Sequence, residues 1–310
     1  MSNKPASSAV NFLDDERIVD SFSVSLRAGG RKEKTEETYR NALRYLGRFL
    51  SEKGMPDVAQ VSTEHLREYF RSLYDRGLQP SSISVQYRAL ATFYKWLVEE
   101  GERQDNPLER IPPPLLEEKI QPHYGAAELQ AILKRLPAVT HNLRLLRNRA
   151  VVLTLADSGL RGAELCGLRR EDVDLRELTL RVEKGKGGRW REVSISHTTA
   201  EAIDRMLRRR QDESEWLFVT RDGRGLTTNG LRMMLDRAWR DVGLEFRGVH
   251  AFRRGWAITM LDAGADPSDV KTLAGWESDQ MLRRYTRATE TQRAKRSHTK
   301  FSPVRSLNLR

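Results

Sequence analysis

The sequence predicts a mainly α-helical chain of two domains, the second carrying a small antiparallel β-sheet and so of α+β type. Three observations predict it. Apolar residues recur at helical spacing over most of the chain, and one segment, residues 178 to 195, alternates as strands do around a glycine-rich turn. Between the two helical regions stands Ile111-Pro112-Pro113-Pro114, which cannot continue a helix and favours an extended connector. A chain of 310 residues has room for about two domains, each able to bury a core.

Residues 1 to about 20 are polar and mildly acidic around Asp14, Asp15 and Glu16 and are read as flexible; Ala28-Gly29-Gly30 breaks whatever precedes the first strong helix. That helix is expected from about Thr35 to Lys53, with Thr35 as N-cap, Glu36 and Glu37 in the first turn, and Tyr39, Ala42, Leu43, Leu46, Phe49 and Leu50 as its apolar stripe. Leu66, Tyr69, Phe70 and Leu73 mark a second helix. Pro80 opens a third, with Ile83, Leu90, Phe93 and Leu97 inward. The first domain is therefore set at 1–108 and the linker at 109–122, leaving 123–310 for the second domain. There, helical patterns run from Glu128 to Leu136 and from Leu143 to Leu155. Leu178, Leu180 and Val182 then alternate with polar residues, as do Val193 and Ile195, with Gly185, Gly187 and Gly188 between, which reads as a β-hairpin with Lys186 at its tip. From about Thr199 onward the chain is expected to be helical, interrupted near Arg221 to Gly225 and at Gly264 to Pro267.

The formal net charge of +11 and a pI near 9.9 fit a polyanionic partner, with binding that weakens as salt rises; a well-solvated basic surface is the plainer alternative. Lys34, Arg40 and Arg44, with Arg31, Lys32 and Arg48, flank or stud the first strong helix opposite its apolar stripe. Such a face suits a phosphate backbone, and suits bulk water equally well. Cys166 is the only cysteine, which excludes an internal disulfide and a cysteine-based metal site. Residues 1 to 10 lack a basic-then-apolar leader pattern, and no window approaches the ~18 apolar residues of a spanning helix. The protein is expected to be soluble, cytoplasmic and not membrane-bound.

The stretch from 250 to 285 concentrates the chemistry. On a helix beginning at His250, a spacing of three puts its imidazole and the Arg253 guanidinium on one face, so that one group can move a proton while the other grips an oxyanion. A second fork, Arg161, stands in Ser158-Gly159-Leu160-Arg161-Gly162-Ala163-Glu164-Leu165, whose glycines suit a tight entry into a helix presenting it. Tyr285, with a hydroxyl pKa of about 10 when free, needs a proton acceptor to act as a nucleophile at neutral pH, and His250 is the candidate. The indole of Trp276 can donate a hydrogen bond and cannot act as a base. Plainer readings stand beside these. Arg161 pairs with Glu164 at i,i+3, Lys184 rivals Lys186, and Trp276 packs in a core.

These pieces, in order, resemble the tyrosine recombinases, the phage-integrase and Xer type of site-specific DNA recombinase. Gly159-Leu160-Arg161 with Glu164-Leu165 resembles that family's first arginine box, and Gly185-Lys186-Gly187 followed by Arg191 its β-hairpin lysine. His250-x-x-Arg253 resembles the second box, Leu273-Ala274-Gly275-Trp276 the position of its third His or Trp, and Tyr285 its nucleophile. The resemblance implies an N-terminal SAM-like, core-DNA-binding domain and a C-terminal catalytic domain. In that domain Tyr285 attacks a phosphodiester, His250 takes the proton, Arg161 and Arg253 hold the phosphate oxygens, Lys186 protonates the departing 5′ oxygen and Trp276 supports a phosphate oxygen, with Glu164 in support. It also implies double-stranded DNA with inverted-repeat core sites as partner, a homotetramer on two such sites, a cytoplasmic, nucleoid-associated setting, and no metal or other cofactor.

Two features depart from the family pattern. Arg254 follows Arg253 where a His is common. Residues 286–310 form a long tail, and from 283 onward nine Lys or Arg face Glu290 alone. The tail is open to docking on a neighbouring subunit, which is preferred, to following DNA, or to staying disordered. A type IB DNA topoisomerase shares the nucleophile chemistry and would relax supercoils without a site; a catalytically silent DNA-binding regulator would bind DNA and form no covalent adduct.

Overall fold

In the computed structural model, the described residues are 12–116, 121–184 and 189–276, with isolated positions 278, 294, 295, 298, 299, 302 and 304 beyond. The chain divides into two compact units, 1–118 and 119–310.

Among its described residues the first unit contains four helices, α1 (Phe12–Ala28), α2 (Glu33–Glu52), α3 (Thr63–Asp75) and α4 (Pro80–Glu99). The helix α1 corrects the reading of residues 1 to 20 as flexible over its described part, 12–20, while 1–11 lie outside the described residues. Ile18, Val19, Phe22 and Leu26 form an apolar stripe there, and Phe22, almost fully buried, packs edge-on against Phe93 at 5.2 Å and against Trp96 at 5.3 Å. Burial of that stripe outweighs the acidic start that suggested disorder. The next helix begins at Glu33, after an extended Lys32, so Thr35 lies inside α2 and is not its cap. Ser62 caps α3 through a reciprocal box in which His65 takes the place usually held by Glu: the Ser62 Oγ accepts from the His65 N–H at 3.3 Å, and the His65 Nδ1 accepts from the Ser62 N–H at 3.2 Å. Leu43, Leu46, Leu50, Leu66, Leu73, Ile83, Leu90 and Leu97 complete the core.

The second unit is built from α5 (Ala126–Arg135), α6 (Leu143–Ser158), the short α7 (Gly162–Cys166), a sheet, and α8 (His197–Arg209), α9 (Thr228–Arg240), α10 (His250–Asp262) and α11 (Pro267–Ala274). The sheet is antiparallel in the order β1 (Val173–Asp174), β2 (Thr179–Lys184), β3 (Arg189–Ser194), so a two-residue strand extends the expected hairpin. Leu180 pairs with Val193 and Val182 with Arg191, and these four side chains share the buried face. The helical expectation after Thr199 fails over 210–220, and the interruption expected near Arg221 to Gly225 lies within the same non-helical stretch, 210–227. That segment is irregular, held by bridges Arg169 to Trp216 and Val219 to Gly225, while Leu217 and Phe218 are buried within it. Cys166 is half-buried, and burial pushes its thiol up to about 11, so it is not a thiolate at neutral pH. Among the described residues no helix is long and apolar enough to cross a membrane.

The segment 122–124 is pinned to α10 and the loop before it. Arg254 Nε donates to the Pro122 carbonyl at 2.7 Å, Arg247 Nη1 to the His123 carbonyl at 2.8 Å, and the Arg247 N–H to the Tyr124 hydroxyl at 2.7 Å. Arg254 thus serves this strap, which accounts for a cation at the position after Arg253. The strap lies so close that a Cβ on Gly255 would sit 2.5 Å from the Tyr124 carbonyl oxygen. Alanine is intrinsically better than glycine in a helix by about 1 kcal/mol, yet Gly255→Ala is expected to destabilise the protein by about 1–3 kcal/mol through overpacking. Urea denaturation measures this; unchanged or increased stability would show that the strap yields freely.

Candidate active site

The site is assembled from the end of α6, the start of α7, the buried face of β3, the first turn of α10 and the end of α11. The α6 helix stops at Gly159, whose left-handed backbone (φ 61°) turns the chain. A Cβ there would run into the Trp256 ring, so glycine is favoured on two grounds. Leu160 is fully buried and anchors the turn. Arg161 follows as the extended residue before α7, and not within the helix as the glycines had suggested.

The Arg161 guanidinium Nη1 donates to Glu164 Oε1 at 2.8 Å, and the Arg161 backbone N–H donates to Glu164 Oε2 at 2.8 Å. The plainer pairing at i,i+3 is therefore present. It orients the fork without closing it, because the Arg161 side chain stays 42% exposed. Glu164 itself is largely buried and collects more than Arg161. Arg191 reaches both of its oxygens, Nη1 to Oε1 at 3.1 Å and Nη2 to Oε2 at 3.0 Å, and Arg253 Nη1 lies 4.0 Å from Oε2. Burial alone would raise the Glu164 pKa. The hydrogen bonds from Arg191 and the Arg161 N–H, the Arg191 charge, and the Arg161 guanidinium outweigh it and bring the carboxyl to about 2.

Arg253, expected to hold phosphate oxygens, lies deeper than Arg161. It is fully buried, donating from Nη1 to the Gly159 carbonyl at 2.8 Å and from Nη2 to the Ala274 carbonyl at 2.6 Å. Its position ties the first turn of α10 to the ends of α6 and α11. The Arg253 guanidinium lies 5.1 Å from the Trp276 ring centroid, a cation–π contact. Trp276 is buried with Trp256, Leu261, Val270 and Ala274, so the core reading and the contact with Arg253 are both present. Arg161 and Arg253, from segments far apart in sequence, thus meet at one carboxylate.

His250 opens α10 on the same turn as Arg253. Burial of the ring, then the charges of Arg254, Arg253 and Arg161, hold its pKa down at about 4. The residue still presents an exposed face, which makes the guanidinium field the firmer of those causes. Either way the imidazole is neutral at pH 7 and able to accept a proton.

Lys186 and Tyr285 lie outside the described residues. Lys184 closes β2 opposite Arg189. In the first unit Lys34 and Arg44 are exposed on α2, with Arg44 Nη1 donating to Asn41 Oδ1 at 2.7 Å. Arg40 is paired with Asp20 of α1 at 2.9 Å, so its charge is partly spoken for. Arg191 is the residue that sequence reasoning passed over as part of a motif. The signal was there: Arg191 and Val193 alternate with Trp190 and Glu192, which puts a cation on the apolar face of a strand, where an unpaired charge is costly.

Two family models match the chain. "Phage integrase family" covers residues 126–292, and "Phage integrase, N-terminal SAM-like domain" covers residues 18–101. Among curated relatives, tyrosine recombinase XerC of Halalkalibacterium halodurans is 31% identical over 290 residues, covering 90% of this chain and 95% of the relative. Tyrosine recombinase XerA of Pyrococcus furiosus is 30% identical over 279 residues, with 88% and 90% covered. Among solved structures, XerH site-specific recombinase bound to palindromic difH substrate, a post-cleavage complex, has a TM-score of 0.73 at 20% identity, covering 94% of this chain and 90% of that one. A lambda integrase (75–356) dimer bound to a COC′ core site has a TM-score of 0.69 at 18% identity, with 86% and 96% covered. The fold, the arginine-carboxylate cluster and these matches agree, and the chain belongs to the phage integrase family of tyrosine recombinases.

Proposed function

We propose that this enzyme breaks and rejoins DNA strands at specific sites through a 3′-phosphotyrosyl intermediate on Tyr285. The observation that carries the reading is the gathering of Arg161, Arg191 and Arg253 around the single carboxylate of Glu164, beside a neutral His250. Three guanidiniums and one carboxylate leave a cationic surplus suited to a phosphodiester, and more so to the extra negative charge of its transition state.

In the proposed reaction the Tyr285 oxygen attacks phosphorus in line with the departing 5′ oxygen. The phenolic proton passes to His250 as the O–P bond to tyrosine forms. The bond to the 5′ oxygen breaks, and Lys186 supplies that oxygen with a proton. Arg161, the open fork, holds the non-bridging oxygens directly. Arg253 acts from beneath through its charge and by fixing the carbonyls of Gly159 and Ala274, and Trp276 covers its face. Attack by a 5′ hydroxyl from a different strand reverses the sequence and reseals the DNA in a new connection. The phosphoryl bond is kept in the covalent intermediate, so no nucleotide hydrolysis is called for.

Residues 123–310 form the catalytic domain in this reading. Residues 1–108 bind the core site, with Lys34 and Arg44 as the exposed α2 cations and Arg40 contributing once released from Asp20, and 109–122 link the two. The active assembly is a homotetramer on two double-stranded sites with inverted-repeat cores, and the basic tail 286–310 docks on a neighbouring subunit.

Incubation with a nicked suicide duplex should trap a covalent protein–DNA adduct on a denaturing gel, and Tyr285→Phe should abolish the adduct while DNA affinity is retained. Adduct in the variant, or none in the wild type despite binding, sinks the reading. The acid side of the reaction is set by His250. A depressed pKa keeps the base neutral above about 4 and removes it only as the pH falls through that value. The second-order rate constant for adduct formation, measured at sub-saturating duplex, should therefore lose activity on the acid side nearer pH 4 than the ~6.5 of an ordinary histidine. A limb at 6.5 or above rules out this electrostatic setting for the base.

A further inference from the structure

Arg191 is a buried guanidinium on the apolar face of β3, opposite Val182 in the sheet register. It spends Nη1 and Nη2 on the two oxygens of Glu164, and donates from Nε to the Leu273 carbonyl at the end of α11 at 3.1 Å. Gly275 leaves room for it, since a Cβ there would come within 3.3 Å of Arg191 Cδ and Nε. The strand β3, the segment bearing Arg161 and the approach to Trp276 are thus joined through one side chain.

The chemistry of Glu164 says what this joint is for. A largely buried carboxylate that stays ionised takes up whatever cations surround it. Its other neighbours are Arg161, already in contact through Nη1, and Arg253, 4.0 Å away. A guanidinium fully paired with a carboxylate offers little net charge to a phosphate. Arg191 is the one of the three whose guanidinium fork engages both Glu164 oxygens at once.

We propose that Arg191 is a positioning residue for strand cleavage, holding and neutralising Glu164 so that Arg161 and Arg253 keep their charge for the scissile phosphate. This rests on the function proposed above and adds to it a specific division of labour among three arginines: one balances the carboxylate and two serve the substrate. A plain structural brace would make a different prediction, because removing the carboxylate would then add damage where here it relieves it.

The test compares the wild type, Arg191→Met, Glu164→Gln and the double variant on the suicide duplex, with adduct rate, DNA affinity and thermal midpoint measured for each. Arg191→Met is expected to slow adduct formation about 100-fold, as misplaced catalytic groups do, with DNA affinity within about threefold because most binding energy comes from backbone contacts elsewhere. Adding Glu164→Gln to Arg191→Met should recover about tenfold, a coupling that a double-mutant cycle reads directly. A double variant as slow as Arg191→Met or slower overturns the proposal, as does an unimpaired Arg191→Met. Should Arg191→Met not fold at the assay temperature, Arg191→Lys decides the matter. It keeps a cation on Glu164 without the planar fork, and a rate within about tenfold of wild type supports charge neutralisation. A folded, DNA-binding Arg191→Lys that has lost the activity altogether overturns it. Absence of adduct in the wild type would overturn the proposed reaction itself, an outcome distinct from all of these.

Discussion

The second unit turns on one buried carboxylate. Glu164 is the only described acidic side chain within ion-pair reach of Arg161, Arg191 and Arg253, and it joins the turn before α7 to β3 and α10. Burying a lone carboxylate is strongly unfavourable, and burying the guanidiniums of Arg191 and Arg253 alone equally so; together they are tolerable only with extensive hydrogen bonding. The donors to Glu164 and the carbonyls of Gly159, Leu273 and Ala274 provide it. The surplus of positive charge that remains is the feature a phosphate can use.

That arrangement separates two jobs that a sequence motif runs together. Arg161 keeps much of its surface in solvent, whereas Arg253 has none. In the proposed reaction the first touches the phosphate; the second sets the shape of the site and contributes field. Burial of the ring and the same field hold the His250 pKa down, so in the proposed reaction the cations that attract the phosphate also help preserve the base.

Much of the fold was legible because helical stripes and a strand pair leave clear periodicity. The stripe of Leu43, Leu46 and Leu50 and the alternation of Leu180, Val182 and Val193 each correspond to a buried face. The α1 helix was missed although Ile18, Phe22 and Leu26 carry the right spacing, because the acidic residues before them weighed on composition. Thr35 looked like a cap, yet a residue with a capping side chain does nothing unless the backbone bends there, and it bends at Lys32. In the site, the spacing of His250 and Arg253 was readable as a shared helical face. The depth of Arg253 was not, since it depends on where α6 and α11 end in space. Arg191 was readable in principle, from a charge standing in the apolar register of a strand, and went unread because its neighbouring lysine drew the attention.

Gly159 has a consequence for how such a sequence can vary. Its backbone excludes most side chains, Trp256 fills the space any side chain would take, and its carbonyl is the acceptor for Arg253. Three segments therefore share one atom-sized vacancy. Replacement of Trp256 by a smaller residue would empty the space and still leave a left-handed backbone that a side chain adopts only at a cost, so this position varies only when two separate obstacles are lifted together.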